Sequence, residues 1–381
     1  MAATGTAPLS ISVERPRGSG HIPTTELLAA MLRATANVSD LVFSPGRPPQ
    51  VEVQGQLLAV QASGLSLLTA DDTRRIAADL IGNNKQAITI LREQGSCDIS
   101  YGLPGVARFR VNAFIQRGSC AVIMRVIPTA IPSFSTLGLP AQLHEVASLR
   151  DGLVLVTGTR GSGKSSTLAT LLDDINQSQT CHIITIEDPI EFLHNHKLAT
   201  IHQRELHSDT PSFAMAMRAA LRQAPRVILI GEMRDRETME MCLEAAETGH
   251  LVLSTLNTIN AAKTIERIVG AYTPAEHASV RARLAKTVRL VISQRLLPRS
   301  GGVGRVAAIE ILKGNARTHR CIEAEHEQPS ALLNIIKDSG CEGMQHFDGE
   351  LEKLVRSGIV KPETALEYAT DPNQLLEVLN P

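Results

Sequence analysis

The sequence predicts a mixed α/β chain: an α+β domain, then a parallel sheet with helices on both faces, then a small helical layer. Three observations carry this. Four short apolar runs, LVLV (153–156), HIITI (182–186), VILI (227–230) and LVLST (251–255), lack polar alternation, as strands covered on both faces must. Helically spaced apolar residues fill the intervals, over 165–175, 213–222 and 237–247. Upstream, strand-like runs follow one another at hairpin distances, the pattern of an α+β domain rather than of further βαβ units.

Residues 1–22 are rich in Gly, Pro, Ser and Thr and predict a flexible tail. Over 24–34, Leu27, Leu28, Met31 and Leu32 recur at helical spacing. Strands are expected at 40–43 and 50–58, on either side of the turn-rich SPGRPP, with a helix at 71–80. Alternating Phe109, Val111 and Ala113 predict a strand at 107–114, and another follows at 121–127. This domain spans 23–128. A proline-rich linker over 129–145 leads to the parallel-sheet domain, 146–313. From 314 to 381 only helices are expected, at 331–339, 347–357 and after Lys361-Pro362-Glu363. Gly340 and Gly358 end the first two, and Pro362 opens the third.

Composition narrows the function. A chain of 381 residues suggests two or three domains. Lys plus Arg (38) nearly balance Asp plus Glu (39), which argues against a strongly basic nucleic-acid binder. Aromatic residues are 3% with no Trp, too few for base stacking as a main binding mode. The six cysteines form no C-x-x-C, so neither a zinc knuckle nor a thioredoxin-like motif can be drawn. No apolar run approaches the roughly 20 residues of a membrane span, and the N-terminus lacks the order of a secretory signal. A cytoplasmic protein is expected.

The decisive motif is Gly158-Thr159-Arg160-Gly161-Ser162-Gly163-Lys164-Ser165, followed by Ser166. It matches G-x-x-x-x-G-K-[ST] after a strand and before a helix. Glycines let the backbone curl so that several N–H groups point at phosphate oxygens. The helix start adds its positive end, Lys164 adds a full charge, and Ser165 offers a hydroxyl to Mg²⁺. ATP with Mg²⁺ is the expected ligand. Glu232, just beyond VILI, is placed where a Walker B carboxylate reaches the Mg²⁺ shell through water. Arg234 and Asp235 beside it could form a structural ion pair. Between the two, IEDPIEF offers Glu187, Asp188 and Glu191 around Pro189 to orient the attacking water and take its proton. Spacing alone does not choose among the three.

Taken together, GTRGSGKSSTLATLLDDIN, IITIEDPIEF, VILIGEMRD, AAETGHLVLSTLNTINAAKTIERI and VISQRLL resemble the PilT family of type IV pilus retraction ATPases, within the type II/IV secretion ATPases. RFRVNAF, LGLP, GRVAAIEIL and GMQHFDGELEKLVRSGIV extend the resemblance over roughly 23–378. It implies a PAS-like N-terminal domain, a RecA-like ATPase domain with a C-terminal helical part, and a hexameric ring that hydrolyses ATP. It implies Glu191 as general base, Glu232 as the Walker B acid, His250 of the TGH block at the nucleotide, and Arg110 and Arg125, with Arg108 as a further candidate, neutralising phosphate charge. Implied partners are further copies of the chain, a pilus platform or secretion protein of the inner membrane and, in some machines, a second paralogous ATPase, with the chain peripheral to that membrane. No nucleic acid is expected.

The pattern is broken at four places. Asn257 stands in TLNT where the family has a histidine, and an amide cannot take up a proton or carry charge. LRQAPR (221–226) has lost three acids, Arg160 replaces a Thr, and ARTHRCIEA (316–324) barely keeps the segment associated with retraction. The leading expectation is an ATP-hydrolysing motor of pilus retraction. The alternatives are a weakly hydrolysing regulatory paralogue, an assembly or secretion ATPase, which usually has a longer N-terminal region and a tetra-cysteine motif, and a RecA-like nucleic-acid translocase, against which charge and composition stand.

Overall fold

The computed structural model describes residues 9–11, 22–62, 67–128, 130–324 and 329–379. The chain divides into two compact units, 1–129 and 130–381. The first is a seven-stranded sheet in the order β1-β4-β3-β2-β7-β6-β5, formed by β1 (Leu9–Ile11), β2 (Val38–Phe43), β3 (Gln50–Val53), β4 (Gln56–Ala62), β5 (Ser96–Leu103), β6 (Ala107–Gln116) and β7 (Ser119–Ile127). Helices α1 (Thr24–Arg33), α2 (Ala70–Ile81) and α3 (Lys85–Gln94) complete it. The alternation seen at Phe109, Val111 and Ala113 is real: all three are fully buried, together with Met124 and Val122 of β7.

Three expectations for this unit change. The strand expected over 50–58 is a hairpin, because Gln54 and Gly55 both take positive φ (52° and 80°) and turn the chain between β3 and β4. Helix α3 and strand β5 were not anticipated. Of the expected tail, Leu9–Ile11 is a strand paired in parallel with β4, and Ile11 is buried; the rest of 1–21 lies outside the described residues.

The second unit has a seven-stranded sheet in the order β10-β9-β11-β12-β8-β13-β14. Its strands are β8 (Gly152–Thr157), β9 (His182–Glu187), β10 (Thr200–Glu205), β11 (Val227–Ile230), β12 (Leu251–Leu256), β13 (Val288–Pro298) and β14 (Arg305–Lys313). All pairings are parallel except β13 with β14. Before, between and after them come α4 (Phe134–Leu137), α5 (Lys164–Ser178), α6 (Phe213–Ala220), α7 (Arg236–Glu247), α8 (Ala261–Val269), α9 (His277–Thr287), α10 (Ala316–Glu323), α11 (Pro329–Asp338), α12 (Phe347–Arg356), α13 (Pro362–Glu367) and α14 (Pro372–Leu379). Every residue of β8, β11 and β12 is buried, as the unbroken apolar runs required. One core cluster joins α6, α7, α8 and α9 to one face of the sheet, and another joins α5 to the other.

The stretch expected as a linker belongs to this unit. Leu139 and Leu143 are buried in its core, and Thr170 of α5 donates to the Pro132 carbonyl at 2.8 Å. Among the described residues strands stop at Lys313, and α12 (through Phe347 and Leu351), α13 (Ala365) and α14 (Leu375) share a core cluster with Leu297, Val306 and Ala308 of the β13–β14 hairpin.

Candidate active site

Parallel strands bring their C-terminal ends to one sheet edge, where α/β proteins bind ligands. At this edge β8 runs into Gly158–Gly163 and then α5. Gly158, Gly161 and Gly163 take φ of 152°, 76° and 91°, which side-chain-bearing residues rarely adopt. A Cβ on Gly158 would collide with the Ser162 side chain, and one on Gly163 would lie 2.7 Å from Gln294 Nε2. Gln294 of β13 is a functional-site residue that spacing did not reveal. Its Nε2 donates to the Ser162 carbonyl at 2.7 Å, while its Oε1 accepts from Thr167 Oγ1 at 2.7 Å, tying loop to helix. It lies inside VISQRLL, but only the tertiary fold brings it under the loop.

Helix α5 differs from its neighbours at its start. Asp235 caps α7 and Asn260 caps α8 with side-chain oxygens, but Gly163 gives α5 no side-chain cap. The first N–H groups of α5, from Lys164, Ser165 and Ser166, therefore have the positive end of the helix dipole to themselves. Lys164 Nζ donates to the carbonyls of Gly158 and Thr159, both at 2.9 Å, which holds the ammonium inside the curl. Burial lowers its pKa, opposed by the charges of Glu232 and Glu191 and assisted by Arg160. Those four ionised groups therefore share one electrostatic neighbourhood.

Glu232 follows β11 and is the centre of a network. Arg234 donates to Glu232 Oε2 and to Asp188 Oδ2, each at 2.9 Å, and Asn257 Nδ2 donates to Glu232 Oε1. The Arg234–Asp235 ion pair considered above does not form; Asp235 instead accepts from Thr238 N at 2.8 Å. In the acidic loop the three carboxylates separate. Asp188 is engaged by Arg234, and Glu191 is exposed. Glu187 accepts from Thr185 Oγ1 (2.7 Å) and Gln203 Nε2 (3.1 Å), and burial pushes its carboxyl up to about 7.

Within the subunit, His250 stands apart from these groups. It precedes β12, whose Leu251 lies opposite Gly152, so it sits at the N-terminal edge of the sheet. Six strand residues separate that edge from the phosphate loop, about 20 Å at the usual rise. Its Nδ1 lies 3.1 Å from the Ala245 carbonyl and 3.2 Å from Thr248 Oγ1, so within this subunit it is a backbone-anchoring group. Asn257, at the far end of the same strand, occupies the phosphate edge. Arg110 and Arg125 lie in the N-terminal unit, on β6 and β7, as directly opposed and exposed partners. Arg125 Nε also donates to Asp40 at 3.1 Å.

Residues 96–353 match the protein family described as type II/IV secretion system protein. The type IV pilus retraction ATPase PilT of Pseudomonas aeruginosa is 43% identical over 348 residues, 91% of this chain and 98% of that one. The chain belongs to the PilT family of type II/IV secretion ATPases. A twitching motility protein of Neisseria gonorrhoeae is 42% identical over 328 residues, 86% of each chain. A crystal structure of the pilus retraction motor PilT with bound ADP superposes with a TM-score of 0.82 at 40% identity, covering 94% of this chain and all of that one. This PilT-family ATPase places Gly158–Ser165, the acidic loop after β9 and Glu232 after β11 at one sheet edge.

The donor set fits Mg²⁺ with a nucleotide. Ser165 and Glu232 offer hard oxygen ligands, and among the described residues no cluster of three or more His, Cys, Asp or Glu could hold a metal alone. Mg²⁺ characteristically takes one or two protein oxygens and completes its shell with phosphates and water. Among the described residues no helix is long and apolar enough to cross a membrane.

Proposed function

We propose that this chain is the ATP-hydrolysing subunit of a homohexameric motor that powers type IV pilus retraction, and with it twitching motility, or a related pilus or secretion machine. In this reading the N-terminal unit is a PAS-like domain and the parallel sheet a RecA-like core. The observation that carries it is the uncapped start of α5, with Lys164 inside the phosphate loop and within the electrostatic reach of Glu191 and Glu232. Backbone N–H groups of 158–166 hold the phosphates, and Lys164 neutralises the charge growing on the leaving phosphate. Glu191, free of Arg234, orients the water and accepts its proton. Mg²⁺ bound with ATP would supply charge neutralisation at the phosphate oxygens, with Ser165 and Glu232 holding it. Arg110 and Arg125 of the N-terminal unit supply phosphate-neutralising charge in the assembled ring. A nucleotide that binds differently before and after hydrolysis is how the subunit turns chemistry into motion. The partners are an inner-membrane platform protein of the machine and, where the ring acts in a pair, a second paralogous ATPase; the chain works at the cytoplasmic side.

The bond from Asn257 to Glu232 favours a second reading, a weakly hydrolysing regulatory subunit, because a neutral amide stands against the Walker B acid. Mg²⁺-dependent phosphate release by the purified chain, beside Lys164→Ala and Glu191→Gln, decides between them. The motor reading expects turnover to fall by about 100-fold or more in Glu191→Gln. Equal rates in the unmodified chain and Glu191→Gln would leave the regulatory reading standing.

A further inference from the structure

The loop that carries Glu191 is held from outside by three side chains at the ends of β9 and β10. Glu205, buried on β10, accepts from Ile190 N at 3.1 Å. Glu187 Oε2 lies 3.4 Å from Glu191 N. Gln203 of β10 does the most. Its Nε2 donates to the Phe192 carbonyl at 2.8 Å and to Glu187 Oε1 at 3.1 Å, and its Oε1 accepts from His194 N at 2.8 Å. Both amide hydrogens and the amide oxygen are thus used, and only an amide can do this. A carboxylate would face the Phe192 carbonyl and Glu187 with lone pairs, and an apolar side chain would leave the Phe192 carbonyl and the His194 N–H without their partners.

We infer that Gln203 is a positioning residue for the reaction: by bonding both sides of the short segment Glu191–His194 and steadying Glu187 beneath it, it fixes where the Glu191 carboxylate meets the attacking water. Strand β10 meets the loop through Gln203 and Glu205. Its Gln203 pairs in register with Thr185, the residue that donates to Glu187, so the two strands grip the loop from a shared base. A loop so held keeps its carboxylate within the narrow geometry that water attack needs, where an ångström of drift is costly.

The inference rests on the reading of Glu191 as the group that works on water. The full-length chain is compared with Gln203→Met, the near-isosteric Gln203→Glu, Glu191→Gln and the double variant Gln203→Met/Glu191→Gln. Hydrolysis of MgATP, affinity for a fluorescent ADP, and amide exchange over 188–194 are measured. Both Gln203 variants are expected to lower kcat by roughly tenfold or more with ADP affinity changed less than about threefold, and to speed exchange at His194. In the Glu191→Gln background, Gln203→Met should then change kcat less than about twofold, since the group it positions is already gone. An equal fall in that background, or unchanged kcat in Gln203→Glu with its ADP affinity intact, overturns the inference while leaving Glu191 as base. Wild-type turnover by Glu191→Gln removes the base reading and this inference together.

Discussion

Burial and hydrogen bonding pull against each other hardest at Glu187. Burial raises its carboxyl to about 7, while donors from Thr185, Gln203 and the Glu191 backbone lower it, and burial wins. A carboxyl with a folded pKa above its ordinary value of 4.5 favours the neutral form on folding. Its contribution to stability is complete below about pH 4.5 and is lost as pH rises through about 7. Glu187→Gln removes that titration. Relative to the wild type, the variant should gain up to about 3 kcal/mol between pH 4.5 and pH 8, read from urea unfolding at both. A constant difference between the two proteins across that range would refute it. Spacing brought Glu187, Asp188 and Glu191 into one segment without choosing among them, and only the resemblance pointed to Glu191; the partners that distinguish their surroundings, Gln203 and Arg234, come from elsewhere in the chain. Asn257 was recognisable as a departure; its bond to Glu232 was not.

Two helix starts in the second unit, those of α7 and α5, contrast. Asp235 accepts from both Thr238 N (2.8 Å) and Thr238 Oγ1 (2.7 Å), closing the start of α7, whereas the first N–H groups of α5 have no side-chain cap. Asp235→Ala should therefore cost about 1 kcal/mol in equilibrium unfolding at pH 7 and leave MgADP affinity unchanged. The bonds from Thr238 hold the Asp235 carboxyl below its ordinary range, so its stabilisation is present above that range and fades as pH falls through the lowered value. A loss of ADP affinity in this variant would mean that α7 shapes the phosphate edge. Unbroken apolar runs, as in β8, β11 and β12, were legible because burial on both faces favours apolar side chains at successive positions. Strand β10 was not, since Thr-Ile-His-Gln-Arg-Glu at a sheet edge carries mostly polar side chains that serve the loop beside it. The β3–β4 turn was missed because Gln54-Gly55 lacks the Asn or Asp that usually announces such a turn.

Each of the two units has its own core. Leu28, Met31, Leu41, Phe43, Phe109 and Met124 belong to a cluster confined to the first, and every other cluster draws only on residues of the second. Within the second, the guanidinium of Arg295 lies 3.8 Å from the centre of the Phe347 ring and donates to the Tyr368 carbonyl, so the C-terminal helices are built onto the β13–β14 hairpin rather than appended to it. A unit with a separate core and termini of its own is expected to fold alone. The fragment 130–381 should therefore melt cooperatively and bind MgADP in a manner abolished by Lys164→Ala. Its ATP hydrolysis should fall by about tenfold or more, because Arg110 and Arg125 are left behind. Arg110→Ala and Arg125→Ala in the full-length chain, with ring assembly followed by light scattering, separate lost charge from lost assembly: intact rings with slow turnover assign the arginines to the reaction. Full activity in those two variants would instead make the opposed pair a surface feature of the β6–β7 ladder, held on one side by Asp40, and would confine the chemistry to the second unit.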